Sequence, residues 1–338
     1  MRITVLMGGT SSERDVSLAS GIRVTEALRS RGHDVIAVDP ARGPISEEEQ
    51  RALASGTVVK VTPPSPAALK QLAREALPRL VSNLPRKGDT DVVFLGLHGG
   101  SGEDGTIQSL LDLTGVPYTG SGHLASALAM DKDLSKKLFR QAGVGTADWL
   151  MAPAGIDEVR AALGFPVIVK PSKQGSTVGL SIVKDPSELQ AAIHEAFHHD
   201  DEVMIERFIA GRELTVGILG DVALPVGEIL PKHEIYDYEC KYTPGMAEER
   251  FPADLTSEAT ARVQDEARRA FHAMKLRGYA RIDFRMSSDG TFYCLEGNTL
   301  PGMTQTSLIP QGAAAAGISF PELCDRIVQL ALEQRGGE

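Results

Sequence analysis

The sequence predicts an α/β unit built on a parallel sheet, followed by a larger α+β portion rich in strands. Three observations carry this. Strand and helix signals alternate through the first third. Near Ser121 the pattern changes to two helical stretches and then a succession of strands. The 338-residue length exceeds one ordinary core, on a prior of roughly 100–200 residues per domain.

In order, Arg2–Met7 is a compact apolar strand, Val16–Arg31 has helical period and stops before Gly32, and Val35–Val38 is strand-like. Pro40–Pro66 is rich in Pro, Ala and Glu, with Glu47-Glu48-Glu49 reading as a solvated face. Ala67–Leu84 reads as an amphipathic helix, and Asp91–Leu97 as a buried strand running into glycine. After Ser121 come helices over His123–Ala142 with a break near Asp131, a strand and short helix, and the strand Phe165–Lys170. A glycine-rich turn, Gln174–Gly179, precedes the strand Leu180–Val183 and the helix Pro186–His198. Strands follow at Glu202–Phe208, Leu214–Leu219 and Ala223–Leu230. The polar stretch Lys232–Pro252 leads to the helix Ser257–Leu276. Strands Tyr279–Met286 and Thr291–Glu296 flank a hairpin turn at Ser288-Asp289-Gly290, and helical segments close the chain.

Composition narrows the function. Hydrophobic residues at 42% and charged residues at 24% are ordinary for a soluble globular chain. The formal charge of −10 disfavours nonspecific attraction to nucleic acid or anionic lipid. The sequence runs straight into a strand with no signal-peptide pattern, and no apolar run approaches the roughly 20 residues of a bilayer span. Cys240, Cys294 and Cys324 make no close pair or zinc spacing. The expectation is a cytoplasmic protein acting on small molecules.

Chemistry concentrates in five places. Asp283 lies on one strand and Glu296 and Asn298 at the end of the next, so alternation in an antiparallel pair can aim all three at one point. Hard oxygen donors of this kind suit magnesium, which shares its octahedron with substrate phosphates; the plainer reading is a cross-strand polar pair. Lys170 ends a buried strand, and the Gly175–Gly179 turn follows, so an ammonium and backbone N–H groups can meet phosphate. The plainer reading is a glycine hairpin with a snorkelling lysine. Neither a GxxxxGK[ST] loop nor a GxGxxG after a strand is present. Glu206–Ile209 with Glu213 can offer backbone groups and carboxylates to adenine and ribose, or can be an exposed acidic strand. Gly8–Asp15 delivers Glu13 to the carboxyl edge of the first sheet, although Thr10-x-x-Glu13 read by itself favours a capping box. The His98–Gly105 loop brings backbone close to a ligand or is only a turn. His194, His198 and His199 diverge at a helix end and are not expected to hold metal.

Together and in this order, the segments GGTSSERDVSLASG (8–21), LHGGSGEDGTIQSLLDLTGVPYTGSG (97–122), MDKDLSK (130–136), PVIVKPSKQGSTVG (166–179), YDYECKY (236–242), RIDFR (281–285) and EGNTLPGMTQTSL (296–308) resemble the D-alanine–D-alanine ligase family over essentially the whole chain. The resemblance implies an N-terminal doubly wound domain (1–120) and a two-domain ATP-grasp fold (121–202 and 203–338). It implies that Glu206, Phe208 and Ile209 hold adenine, Glu213 the ribose, and Lys132, Lys170 and Lys241 the phosphates. Asp283, Glu296 and Asn298 would bind two magnesium ions, with manganese as a substitute. Glu13 would anchor the ammonium of the first D-alanine, with His98 near it. Ser307 and the Leu308 backbone would receive the carboxylate of the second. Arg281 and the Gly302 backbone would form an oxyanion hole, and Ser176 and Tyr242 would link to Glu13 in a chain closing the site. A homodimer is also implied. Gly297 departs from the pattern, where a larger residue is expected, and Pro40–Ala68 looks longer than the family core needs.

The implied reaction phosphorylates a carboxylate with ATP and then joins it to an amine, so water must be kept out, and residues 232–252 have the composition of a lid. Within that stretch, Cys240 beside Lys241 is expected to be the reagent-accessible thiol, and Cys294 and Cys324 the buried ones. Three rivals remain. A D-alanine–D-lactate ligase is disfavoured by Tyr242, and a carboxylase or purine-pathway ligase by the GGTSSE segment. A nucleotide-binding protein without catalysis would lack a metal ligand or phosphate lysine, and none is missing.

Overall fold

The computed structural model describes residues 1–55, 71, 72, 74, 76, 81–236, 240, 243, 245–304 and 306–333. Its elements are β1 (Arg2–Leu6), α1 (Arg14–Ser30), β2 (Asp34–Asp39), β3 (Gly43–Pro44), α2 (Glu47–Ser55), β4 (Val92–Leu95), α3 (Thr106–Thr114), α4 (His123–Met130) and α5 (Lys132–Gln141). Then come β5 (Trp149–Met151), α6 (Ile156–Ala162), β6 (Val167–Pro171), β7 (Ser181–Val183), α7 (Leu189–Phe197), β8 (Val203–Arg207), β9 (Arg212–Leu219), β10 (Val222–Ala223), β11 (Gly227–Pro231) and β12 (Ala247–Arg250). The chain closes with α8 (Ser257–Ala273), β13 (Tyr279–Met286), β14 (Phe292–Asn298), α9 (Leu308–Ala315) and α10 (Phe320–Glu333).

Three sheets result. The first has the order β3-β2-β1-β4, with β1 parallel to both β2 and β4. Its strands are apolar nearly throughout because helices cover them, and Ile3, Val5, Phe94 and Leu95 are fully buried. The second, β5-β8-β6-β7, is antiparallel and encloses a small core of Val167, Val169, Val203 and Ile205 with α6 and α7. The third is antiparallel along the path β12-β11-β9-β13-β14, with β10 on β9. This is the doubly wound unit followed by two strand-rich units that the sequence implies.

Cores do not follow chain order. α4 and α5 give Ala125, Ala129 and Phe139 to the core of the third sheet, while α10 gives Leu323, Ile327 and Val328 to that of the first. The break expected near Asp131 is real: Asp131 caps α5, its Oδ1 accepting from the Leu134 N–H at 3.0 Å.

Two readings of the elements need correction. The expected strand Ala223–Leu230 is two strands, β10 and β11, divided at Leu224–Val226. Within the polar stretch 232–252, the acidic segment Ala247–Arg250 is a strand, held by pairing to β11 rather than by an apolar pattern. Glu47–Glu49 are solvated as expected, but they begin helix α2, where acidic residues favour the first turn. The helix expected over Ala67–Leu84 lies mostly outside the described residues.

Candidate active site

Strand alternation builds the centre of the site. On β13, Ile282 and Phe284 enter the core of the third sheet, so Arg281, Asp283 and Arg285 face the opposite way. β14 runs antiparallel beside it, pairing Arg281 with Asn298 and Asp283 with Glu296. A register shift between Asp283 and Phe284 leaves Leu295 unpaired and turns it into a cavity wall. Asp283, Glu296 and Asn298, which the sequence is expected to aim at one point, occupy neighbouring positions of this strand pair. Asp283 Oδ1 accepts from Thr215 Oγ1 at 2.7 Å and Arg281 Nε at 2.9 Å. Its Oδ2 accepts from Arg281 Nη2 at 2.9 Å and Asn298 Nδ2 at 3.0 Å. Glu296 pairs with Lys132 at 3.1 Å. Burial opposes the charge on Arg281, but Asp283 outweighs it and keeps the guanidinium above its ordinary value. Two carboxylates and an amide on adjacent strands fit a hard divalent cation, with protein cations balancing the same charge here. No group of three or more His, Cys, Asp or Glu residues suited to metal occurs among the described residues; the third oxygen donor at this place is an amide.

A first cavity, about 140 Å³, opens between the second and third sheets. Ile168, Phe208, Ile229 and Leu295 give it apolar walls, and Lys132, Lys170, Glu206, Glu213 and Glu296 give it charge. Lys170 and Ile168 share a face of β6, and Glu206 lies opposite Ile168 on β8. Lys170 Nζ donates to Glu206 Oε2 at 2.7 Å, while Lys136 Nζ, completely buried, bonds Glu206 Oε1. Burial alone raises the Glu206 carboxyl, but the two ammoniums outweigh it and hold it at about 2. Arg285 clamps the neighbouring linker, donating to the Ile209 carbonyl and pairing with Glu213, both at 3.1 Å. Lys132 Nζ also donates to the Gln174 carbonyl at 2.8 Å, tying the glycine-rich turn to Glu296. In that turn Ser176 and Thr177 take φ of 51° and 58°, a left-handed conformation that non-glycine residues hold only when surroundings dictate it.

A second cavity, about 350 Å³, lies between the first and third sheets. It shares Ser176, Tyr236, Arg281 and Leu308 with the first, so the two meet at one wall. Glu13 lines it, and Ser176 Oγ donates to Glu13 Oε1 at 2.6 Å across 163 residues of sequence. The capping-box reading of Thr10–Glu13 is thereby overturned: Glu13 sits at the N-cap of α1 but makes no side-chain cap bond. At the far end Ser307 precedes α9, and Ser307 and Leu308, at the start of that helix, line the cavity. A side chain at Gly302 would come within 2.7 Å of Ser307 Oγ and would displace it. His98 lines the cavity but is engaged on both nitrogens, Nδ1 to the Leu300 carbonyl at 2.8 Å and Nε2 to Ser20 Oγ at 2.9 Å. Burial lowers its pKa, so the ring is neutral. Lys241 and Tyr242 lie outside the described residues.

Sequence reasoning missed three groups here. Lys136 was available as the residue one turn after Lys132 on the same helix face. Glu103 lines the second cavity and accepts from the Gly99 N–H at 2.7 Å; burial first, and Glu13 second, push its carboxyl up to about 8. Arg14 pairs with the buried Asp39, which accepts from the Gly9 N–H at 3.1 Å and so fixes the loop that carries Glu13. The departure at Gly297 also has a cause: a side chain there would collide with Met274, whose methyl fills the space a larger residue would occupy.

Cys240 is 3% exposed and lines the second cavity, against the expectation of an accessible thiol; Cys294 and Cys324 are buried as expected. Burial raises the thiols of Cys294 and Cys324 well above their ordinary value. In the native protein all three cysteines should resist alkylation until unfolding. Labelled-peptide mass spectrometry showing fast, selective modification of Cys240 would contradict this.

The family models described as D-ala D-ala ligase N-terminus and D-ala D-ala ligase C-terminus match residues 2–121 and 138–329. The D-alanine–D-alanine ligase of Geobacter sulfurreducens is 45% identical over 331 residues, covering 97% of this chain and 93% of that protein. Two solved structures are similar over almost all of both chains. One is the D-alanine–D-alanine ligase of Bacillus anthracis complexed with ATP, with a TM-score of 0.75, 34% identity and coverage of 100% and 99%. The other is the VanG D-Ala:D-Ser ligase of Enterococcus faecalis, with a TM-score of 0.78, 30% identity and coverage of 98% and 99%.

Proposed function

Because the chain belongs to the D-alanine–D-alanine ligase family, we propose that it joins two D-alanine molecules at the expense of ATP, giving D-alanyl-D-alanine for peptidoglycan precursors. The observation that carries this is the meeting of two cavities, one lined for a nucleotide and one for small zwitterions, at Arg281 and Ser176.

In this reading the base lies against Phe208 and Ile209 with Glu206 at its edge, and Glu213 takes the ribose. Lys132, Lys170 and Lys241 hold phosphates. Asp283, Glu296 and Asn298 would hold magnesium, in two ions, with manganese as a substitute. When bound, the metal neutralises charge on the phosphates. Glu13, oriented by Ser176, receives the ammonium of the first D-alanine and turns its carboxylate toward the phosphates. A carboxylate oxygen attacks the terminal phosphorus, the bond to ADP breaks, and D-alanyl phosphate forms. Ser307 and the Leu308 N–H, at the positive end of α9, receive the carboxylate of the second D-alanine. Its ammonium gives one proton to solvent before the site closes, and the free amine attacks the acyl carbon, a second nitrogen proton leaving with the phosphate. Arg281 and the Gly302 N–H hold the developing oxyanion, and inorganic phosphate leaves as the amide forms. Tyr242 completes the Glu13–Ser176 chain, and residues 232–252 keep out water. The proposal includes a cytoplasmic homodimer; no helix among the described residues is long and apolar enough to cross a membrane.

Phosphate release from ATP with D-alanine, L-alanine, and D-alanine plus D-lactate or D-serine tests the reading. D-alanine alone should give phosphate and dipeptide in equal amounts, and L-alanine neither. Absence of D-alanine-dependent phosphate release would overturn it. Preferential depsipeptide formation would move the chain to the D-lactate class.

A further inference from the structure

We propose that Lys136 is a positioning residue that sets nucleotide choice, holding Glu206 as an acceptor-only group so that the cavity admits adenine and rejects guanine. The inference rests on the nucleotide reading of the first cavity.

Lys136 is fully buried, and three contacts account for its ammonium: Glu206 Oε1, Thr146 Oγ1 at 2.6 Å, and the face of Trp149 with its centroid at 5.0 Å. Thr146 is itself fixed by donating to the Cys294 carbonyl at 2.7 Å. Lys136 is absent from the lining of either cavity, so it acts on a ligand only through Glu206. Lys170 differs: it bonds Glu206 Oε2 but also lines the cavity, which leaves donors for phosphate.

An ionised carboxylate has about four acceptor positions and no donor. Two are taken, one by each lysine, and the others remain for a ligand among the apolar walls of Ile168, Phe208 and Leu295. Adenine presents an amino group at its six position, and guanine a carbonyl oxygen. Amino group and carboxylate pair; carbonyl and carboxylate leave two acceptors facing each other where water cannot relieve them. Without Lys136 a carboxyl this buried keeps its proton more readily and gains a donor that can serve guanine.

The test is direct binding of ATP and GTP, each with magnesium, by calorimetry on the full chain. Wild type should prefer ATP by about a hundredfold or more, the scale of leaving buried polar groups unpaired. Lys136→Met should narrow that preference at least about tenfold and raise the KM for ATP, with kcat at saturating ATP changed only a few-fold. A lone Glu206 charge in the core can unfold this variant, so Lys136→Met combined with Glu206→Gln is the second arm. It buries no unpaired charge and presents an amide that donates as well as accepts, so it too should narrow the ATP preference at least about tenfold. If the double variant keeps the wild-type ratio, or if Lys136→Met weakens both nucleotides equally, the inference is overturned and Lys136 is merely structural. Failure of wild type to bind ATP at all would overturn the ligase reading together with this inference.

Discussion

Replacing Glu296 with glutamine should lower turnover by at least about a hundredfold, the scale of losing one preorganised electrostatic contact, while the fold survives. The side chain keeps its volume and its place at the end of β14, so the β13–β14 ladder and the core behind it are untouched. What disappears is one of two carboxylates facing each other across that pair, and with it the partner of Lys132, 3.1 Å away. Lys132 also holds the glycine-rich turn through the Gln174 carbonyl. The change therefore disturbs phosphate positioning and weakens the proposed magnesium site together. Turnover with D-alanine, thermal melting by circular dichroism, and manganese affinity in the absence of substrates separate the outcomes. Lost turnover and weaker manganese binding with an unchanged melt are expected. Near-normal turnover would remove Glu296 from the reaction.

What the sequence made legible follows from the range of each cause. Strand alternation is local, and it sufficed to bring Asp283, Glu296 and Asn298 together, because a tight turn at Ser288–Gly290 joins their strands. The parallel pairing of β1 with β2 and β4 was legible from the alternation of strand and helix signals in the first third of the chain. Glu13 was not legible from its neighbours. A capping box and a binding-site acid need the same residue types at a helix start, and what excludes the capping box is the absence of a cap bond, with Glu13 engaged instead by Ser176, 163 residues away. Only the order of the motifs along the chain pointed to it. β12 was missed because Ala-Glu-Glu-Arg has no apolar alternation, its pairing with β11 standing in for burial. Lys136 was missed because its place one turn after Lys132 marks a shared helix face but not burial, and a lysine in a polar helix reads as solvated. Cys240 was misjudged for the converse reason: polar neighbours suggested exposure, while the packing of the described residues covers it.

Replacing Arg281 with lysine should cost about a hundred- to a thousandfold in kcat, the range seen when one oxyanion donor is lost, although the charge is retained. The guanidinium uses Nε and Nη2 on Asp283, a planar fork that fixes it between the two cavities. A lysine at the same position is a compact point charge on a flexible stem; anchored to Asp283, it cannot also reach an oxyanion with fixed geometry. Binding of ATP should change little, because the lysines and Glu206 that line the first cavity, the proposed nucleotide site, are untouched. The KM for ATP should therefore stay within a few-fold of wild type while kcat falls. A second readout follows from the order of steps. If Arg281 stabilises the tetrahedral adduct more than the phosphoryl transfer, the slowed amine attack leaves D-alanyl phosphate exposed to water for longer. Phosphate released per dipeptide formed should then rise above the one-to-one ratio of wild type. A variant that raises only the KM for ATP, with kcat and the one-to-one ratio intact, would show that Arg281 serves nucleotide binding and not the transfer of the acyl group.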